Sequence, residues 1–396
     1  MLLASPSVRA QTAEAPATAA TEPSTHSTPV QARSRAIDVS MSSELASYAD
    51  TDHVFVQTPS IAAAVSNPTA GWSVDGRYLV DIVSAASADI VSTASRRWEE
   101  VRHEGDVNAS YKPGAFGASG FASVSSEPDY LSWTGGGALT LDTFDKNVTW
   151  LLGVYHTHDV AGRTGTPFSV FSRPINREAF KGGVTVLLSP MTVASFVGDV
   201  VVENGDQSKP YRYIPLFAPG TQVPNGAPVD VVSRLRVSAT PLEQLPLSRD
   251  RFALSGRLAH RMHRATLRLD ERLYADTWDM KATTTDAQLL FDLGPRVETG
   301  PHARLHVQTP VSFWQRAYVF EPGFDYPALR TGDRELGPLL NATGGWTATV
   351  GVGSGPDPQS WVLGFDLNLT ATRYFDDLYI THRISALGGV SLETHL

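Results

Sequence analysis

From Ala36 to Leu396 the chain repeats one pattern: short segments in which apolar and polar residues alternate, separated by tight turns and long loops in turn. The last segment shows it plainly. Ile384, Ala386, Gly388, Val390, Leu392, Thr394 and Leu396 fall on one face, and Arg383, Ser385, Ser391, Glu393 and His395 on the other. A period of two is a strand whose faces meet different surroundings. The segment before it sets Trp361, Leu363, Phe365, Leu367, Leu369 and Ala371 against Gly364, Asp366, Asn368, Thr370 and Thr372, so one face suits lipid and the other water. No apolar run approaches the roughly 18 residues of a membrane helix. An outer-membrane barrel hides its apolar content in every second residue, and the hydrophobic share of 42% is compatible with that.

Counting such segments predicts an all-β fold: one transmembrane antiparallel up-and-down β-barrel of about sixteen strands over 36–396, with 14 to 18 as the range that a miscounted pair allows. Connection lengths test this independently, because bacterial barrels put short turns at the periplasmic end and long loops outside. Even-numbered segments run into tight-turn chemistry such as Asn67-Pro68-Thr69-Ala70-Gly71, Lys112-Pro113-Gly114, Phe144-Asp145-Lys146-Asn147 and Ser189-Pro190. The long connections, 86–96, 159–175, 205–249 and 317–336, all follow odd-numbered ones. Both termini are then expected in the periplasm. Trp72, Tyr111, Phe116, Trp150, Trp278 and Trp361 near segment ends are expected to form interfacial girdles.

Charges choose the face away from lipid. The lumen-lining candidates are Asp75, Arg77, Asp81, Glu100, Arg102, Glu104, Asp106, Arg257, Arg268, Asp270, Arg272, Arg304, His306, Asp366, Arg383 and Glu393. An Arg facing lipid near the midplane costs about 2–4 kcal/mol, so this parity is enforced by energy. Glu271 breaks it, falling among the apolar positions of its segment. Lys281 and Asp286 cannot both point inward without a bulge. In a barrel of this width the mixed charges either line a pore or lace the interior shut around an inserted loop. The longest connection carries Lys209, Tyr211, Arg212 and Tyr213 among prolines and aromatics. Long loops of this kind tend to be functional, and these four residues are the candidates for a constriction.

Outside the barrel, residues 1–10 read as the remnant of a signal peptide, with Val8 and Ala10 as small residues before a cut. Residues 11–35, rich in Ala, Thr, Pro and Ser, read as a disordered periplasmic leader. The chain has no cysteine, which removes disulfides and thiolate chemistry. A net charge of -9, with no basic cluster, argues against nucleic acid as a partner. His156-Thr157-His158-Asp159 has a spacing that a metal can use, as does a solvated rim cluster. His260 and His263 flank a turn. Gly351-Val352-Gly353-Ser354-Gly355 echoes a phosphate loop but runs into Pro356-Asp357-Pro358 with no helix after it. No metal, cofactor or catalytic set is therefore expected, and an enzyme is not. For a barrel hydrolase, the third alternative after a pore and a plugged barrel, His306 beside Arg304 and Gln308 is the base candidate.

Three stretches resemble a family of uncharacterised bacterial outer-membrane β-barrels, classed as a domain of unknown function and common in proteobacteria. They are Tyr78-Leu79-Val80-Asp81-Ile82-Val83-Ser84-Ala85-Ala86-Ser87 leading to Ser92-Thr93-Ala94-Ser95, then Ser125-Ser126-Glu127-Pro128-Asp129-Tyr130, and Asp206-Gln207-Ser208-Lys209-Pro210-Tyr211-Arg212-Tyr213. The resemblance implies the bacterial outer membrane, with its lipid and the barrel assembly machinery as partners, and brings no functional residues. Many such barrels end in Phe or Trp, whereas this chain ends in Leu396. The functional expectation is a pore for small polar solutes with a charged lumen and a constricting loop; the alternative is a plugged structural or surface-interaction barrel.

Overall fold

The computed structural model of the chain describes residues 37–85, 98–354 and 359–396. The expected signal remnant at 1–10, the leader at 11–35, the loop at 86–96 and the end of the glycine motif at 351–355 lie outside the described residues.

Lipid offers the backbone no hydrogen-bonding partner, so a sheet that crosses it must close on itself. This one does. The first strands are β1 Asp38–Asp50, β2 Val54–Asn67, β3 Trp72–Ala85, β4 Trp98–Tyr111, β5 Phe116–Glu127, β6 Tyr130–Thr143, β7 Val148–Ala161, β8 Arg173–Ser189 and β9 Thr192–Gly205. After a two-residue strand, β10 Leu216–Phe217, come β11 Ser248–Arg261, β12 Ala265–Asp276, β13 Lys281–Asp292 and β14 Val297–Gln308. A second short strand, β15 Tyr318–Val319, precedes β16 Leu339–Gly351, β17 Trp361–Tyr374 and β18 His382–His395. All but β10 and β15 form one closed antiparallel ring of sixteen strands, sealed by β1 against β18. β10 and β15 pair with each other, in parallel, away from the wall.

The long connections all follow odd-numbered strands of the ring, counted in chain order. Residues 162–172, 206–247, 309–338 and 375–381 lie at one end, and 68–71, 112–115, 144–147, 190–191, 262–264 and 293–296 at the other. The short turns are tightly specified. Phe144, Asp145 and Lys146 all take positive φ, of 52°, 54° and 67°. Gly71, at φ 75°, sits where a Cβ would lie 2.4 Å from the Lys112 carbonyl oxygen, so the first two short turns can touch only with glycine there.

The long connection expected at 317–336 starts earlier: β14 stops at Gln308 and the connection runs over 309–338. Alternation continues through Val311 and Phe313 because these side chains enter a hydrophobic cluster with Leu245, Trp278 and Met280 rather than lipid. Trp278, expected in a girdle, belongs to the same cluster and is only 4% exposed. Elsewhere the girdles form. Tyr111, Phe116, Trp150 and Trp361 are exposed near the short-turn end, and Phe55, Trp133 and Phe252 toward the long-loop end.

Between these bands Ile61, Leu152, Leu254, Leu367 and Leu369 are exposed on the outer face. Glu271 is the exception the pattern showed, and no bulge accounts for it: β12 and β13 stay in unbroken register. Its two carboxylate oxygens instead accept from the Thr283 and Thr285 hydroxyls of the neighbouring strand, each at 2.5 Å. Hydrogen bonds to an ionised acceptor lower the cost of an outward charge. Lys281 opens β13 at the rim and Asp286 faces inward, again with no bulge between them.

Candidate functional site

Parity against the exposed apolar residues puts the sequence-selected charges on the inner face, where the structure joins most of them in pairs. Near the short-turn end Asn108 donates to Asp75 at 2.9 Å, and Arg77 lies 3.5 Å from Asp106. Arg102 bridges Asp81 at 2.5 Å and Glu104 at 3.6 Å. Arg257 meets Asp270 at 2.5 Å, and Arg272 meets Asp199 at 3.4 Å and the Ser255 hydroxyl at 3.0 Å. Arg268 stands opposite Gln288, Arg304 opposite Asp286, and Asp366 opposite Gly389. Glu393 pairs with His395 at 3.2 Å, and Arg383 with Glu335 at 3.6 Å. Much of the remaining inner face is small and polar, including Ser42, Ser60, Ser73, Ser123, Thr140 and Ser391, none of them buried.

Toward the long-loop end the ion pairs become buried. Asp159 and Glu203 are both fully buried, and Arg177 bridges them, reaching Glu203 at 2.9 Å. Arg251 supplies Glu203 with a second cation at 2.8 Å. Arg249 donates to Asp276 at 2.8 Å and stacks 4.3 Å above the Trp278 ring. Sequence pattern did not single out these residues, since strand ends and mid-strand charges look the same along one chain. Only pairing across β7, β8, β9 and β11 brings them together.

Above this ring the long loops fold into one cap. Leu216 and Phe217 pair with Tyr318 and Val319, joining 206–247 to 309–338. A seven-residue helix, α1 Val229–Leu235, sends Val232 into a cluster with Phe217, Val223, Ala227, Ala317, Leu378 and Tyr379. That cluster also draws in the loop at 375–381. The cap is tied to the wall by Arg334 to Asp52 at 2.6 Å, by Arg173 to Asp206 at 3.1 Å, and by the Gln308 amide to the Glu335 and Gly337 carbonyls at 2.7 and 2.8 Å. The four constriction candidates all lie here. Arg212 pairs with Asp333 at 2.7 Å and Glu243 at 3.2 Å, and Lys209 lies 3.7 Å from Asp333. The Tyr211 hydroxyl accepts from the Thr164 backbone, and Tyr213 is 44% exposed. Both cations therefore bind carboxylates of the cap itself.

Electrostatics inside the cap follow from this packing. Burial alone would raise the Asp333 carboxyl, but Arg212, Lys209 and the Glu335 backbone N–H outweigh it and hold the group well below the usual carboxylate range. Burial pushes the Tyr318 phenol up to about 12. A carboxyl depressed on folding stabilises the cap in full above its unfolded value, about 3.9, and loses that contribution as pH falls through the folded one. Limited proteolysis of the cap should therefore be unchanged between neutral pH and about pH 5 and quicken below about pH 4. Asp333→Asn should cost about 1–3 kcal/mol at neutral pH and flatten the acid response; equal acid sensitivity in both proteins would contradict the assignment.

The other sequence candidates separate. His156 and His158 face outward around Trp133, with ring centroids 5.1 and 5.7 Å away. His156 bonds Glu178 at 2.5 Å and His158 bonds Asn176 at 2.7 Å, while Asp159 points inward to Arg177. The spacing thus does not assemble a ligand set, because the strand splits it between two faces. His260 takes Thr192 at 2.9 Å. His306 is inward, with its two nitrogens facing the Thr284 hydroxyl at 2.7 Å and the Gln308 side-chain oxygen at 3.2 Å. Neither contact is the carboxylate that would orient a general base.

Residues 176–356 match the family model described as Protein of unknown function (DUF3570). The DUF3570 stretch runs from β8 through β16 and takes in both principal cap loops, 206–247 and 309–338. No curated protein matches the chain. Among solved structures it is similar to OccK5 (OpdH) of Pseudomonas aeruginosa, at 9% identity and a TM-score of 0.41 over 91% of this chain and 98% of that one. The outer membrane protein opdK of the same organism gives 7% identity and a TM-score of 0.44, over 91% and 99%. The siderophore receptor PirA, also from Pseudomonas aeruginosa, gives 10% identity and 0.42, over 89% of this chain and 61% of the receptor. The closed ring, its exposed apolar belt and its paired girdles are by themselves those of a bacterial outer-membrane barrel.

Proposed function

We propose that this protein is an outer-membrane channel for small polar solutes, whose lumen narrows at the cap. The carrying observation is where packing stops. Among the described residues, the hydrophobic clusters of buried residues all lie at the long-loop end, in the cap and around Tyr48, Val54, Val56 and Val83. Below them the inner wall carries half-exposed serines, threonines and ion pairs, which suit a water-filled vestibule rather than a core. Solutes pass a wall of both signs, so the reading favours zwitterionic or hydroxylated solutes over strongly charged ones. With long loops outward, as bacterial barrels place them, both ends of the strand array lie in the periplasm and the cap at the cell surface. The density of the cap favours a second reading, a barrel closed at that end and displaying a surface for a partner.

Removing the cap segment separates them. Asn204 and Ser248 are paired residues on adjacent strands, so deleting 210–245 leaves a short loop that can close the hairpin. Single-channel conductance should rise in the deleted protein over the full chain. An unchanged conductance would sink the constriction; current from the deleted protein alone would favour the second reading.

A further inference from the structure

Where β4, β5 and the β5–β6 turn meet, three acidic residues converge. Glu100 on β4, Glu127 at the end of β5 and Asp129 in the turn each offer a carboxylate oxygen, all within 4.8 Å of one another. Glu100 is 7% exposed and Asp129 1%. The nearest described cation on that face of β4, Arg102, is held by Asp81 and Glu104, and what remains of its field falls on Glu127. Glu100 also has a buried oxygen, Oε1, with no hydrogen-bond partner. An unpaired ionised oxygen out of water is costly, and three carboxylates this close cannot all stay charged without a counter-ion.

We infer that Glu100, Glu127 and Asp129 form a binding site for a hard divalent cation of the Ca2+ class. The ligand chemistry is oxygen only. Ca2+ takes carboxylate oxygens at 2.3–2.6 Å in flexible geometry, so two of its ligands stand at most about 4.6–5.2 Å apart, a limit the three oxygens meet. The remaining positions of a six- to eight-fold shell fall to second oxygens and to water.

The site also bears on the cap. Asp129 accepts from the Thr164 hydroxyl at 2.9 Å and, through its backbone carbonyl, from the Gly162 N–H at 2.7 Å. Thr164 in turn donates its backbone N–H to the Tyr211 hydroxyl. A cation that fixes Asp129 therefore fixes 162–172 and, one contact further, the start of 206–247. Calcium outside the cell would hold the cap in place.

The test is calorimetric titration of CaCl2 into the full-length protein in detergent after EDTA treatment, with proteolysis of the cap followed in parallel. One ion should bind per chain with a Kd on the order of 10⁻⁴–10⁻³ M, the range of extracellular calcium modules, and should slow cleavage within 206–247. Glu100→Gln should weaken binding about tenfold or more, and Asp230→Asn, on the exposed surface of α1, should leave it unchanged. A gel shift on boiling checks that each variant is folded, and Asp129→Asn serves if Glu100→Gln is not. No binding by the folded wild-type chain at millimolar CaCl2 would overturn the proposal, leaving a shared proton as the counter-charge. Wild-type affinity in a folded Glu100→Gln protein would overturn it equally.

Discussion

Arg177→Ala is expected to destabilise the barrel by about 3–5 kcal/mol, the loss that follows when one partner of a buried ion pair is removed. Two carboxylates depend on this guanidinium, and both are fully buried. Glu203 keeps Arg251 at 2.8 Å, so the larger share of the loss falls on Asp159, whose Oδ1 already lacks a hydrogen bond. Such a cost is a large fraction of an ordinary folding free energy of about 5–15 kcal/mol. Urea unfolding in lipid vesicles, followed by the gel shift between folded and boiled forms, reads it directly. The double variant Arg177→Met with Asp159→Leu removes both charges and should recover part of the loss; a single variant as stable as wild type would show that the ring carries no such load.

The second large effect lies on the opposite face. Leu367 is at mid-strand in β17, half-exposed at 50% in the apolar belt. Arg at this position should cost about 2–4 kcal/mol, the penalty of a cation at the bilayer midplane. Ser60 is at mid-height in β2, faces inward and stands opposite Glu44 on β1. Arg there gains a neighbouring carboxylate and meets water, so Ser60→Arg should change stability by no more than about 0.5 kcal/mol. Equal costs at the two sites would mean that inside and outside have been exchanged.

These two faces are what sequence could show, because lipid penalises polarity at every second residue of every strand. That repeated constraint makes Trp361 to Ala371 and Ile384 to Leu396 readable without coordinates. The same logic explains the failures. Val311 and Phe313 keep the alternation but bury in the cap, and Trp278, near a strand end, packs into the same cluster, so a pattern read for lipid does not tell such residues from those of the wall. Glu271 looked like a defect because its partners, Thr283 and Thr285, stand on the next strand.

The cap was less legible than the wall. Its clusters join Phe217 to Leu378 and Leu245 to Val311, contacts with no period and no local signature. Lys209 and Arg212 were readable as a loop feature, but Glu243 and Asp333, which take up their charge, come from distant segments. Glu100 was legible as an inward charge, whereas its convergence with Glu127 and Asp129 depends on the pairing of β4 with β5.

Whether water fills the lumen from end to end is read by conductance across a planar lipid bilayer. Full-length protein at low copy number in symmetric KCl should give discrete, uniform current steps, with weak selectivity between K⁺ and Cl⁻ because the wall carries paired charges of both signs. A correctly inserted, heat-modifiable protein that passes no current at any applied voltage would contradict a continuous water-filled lumen.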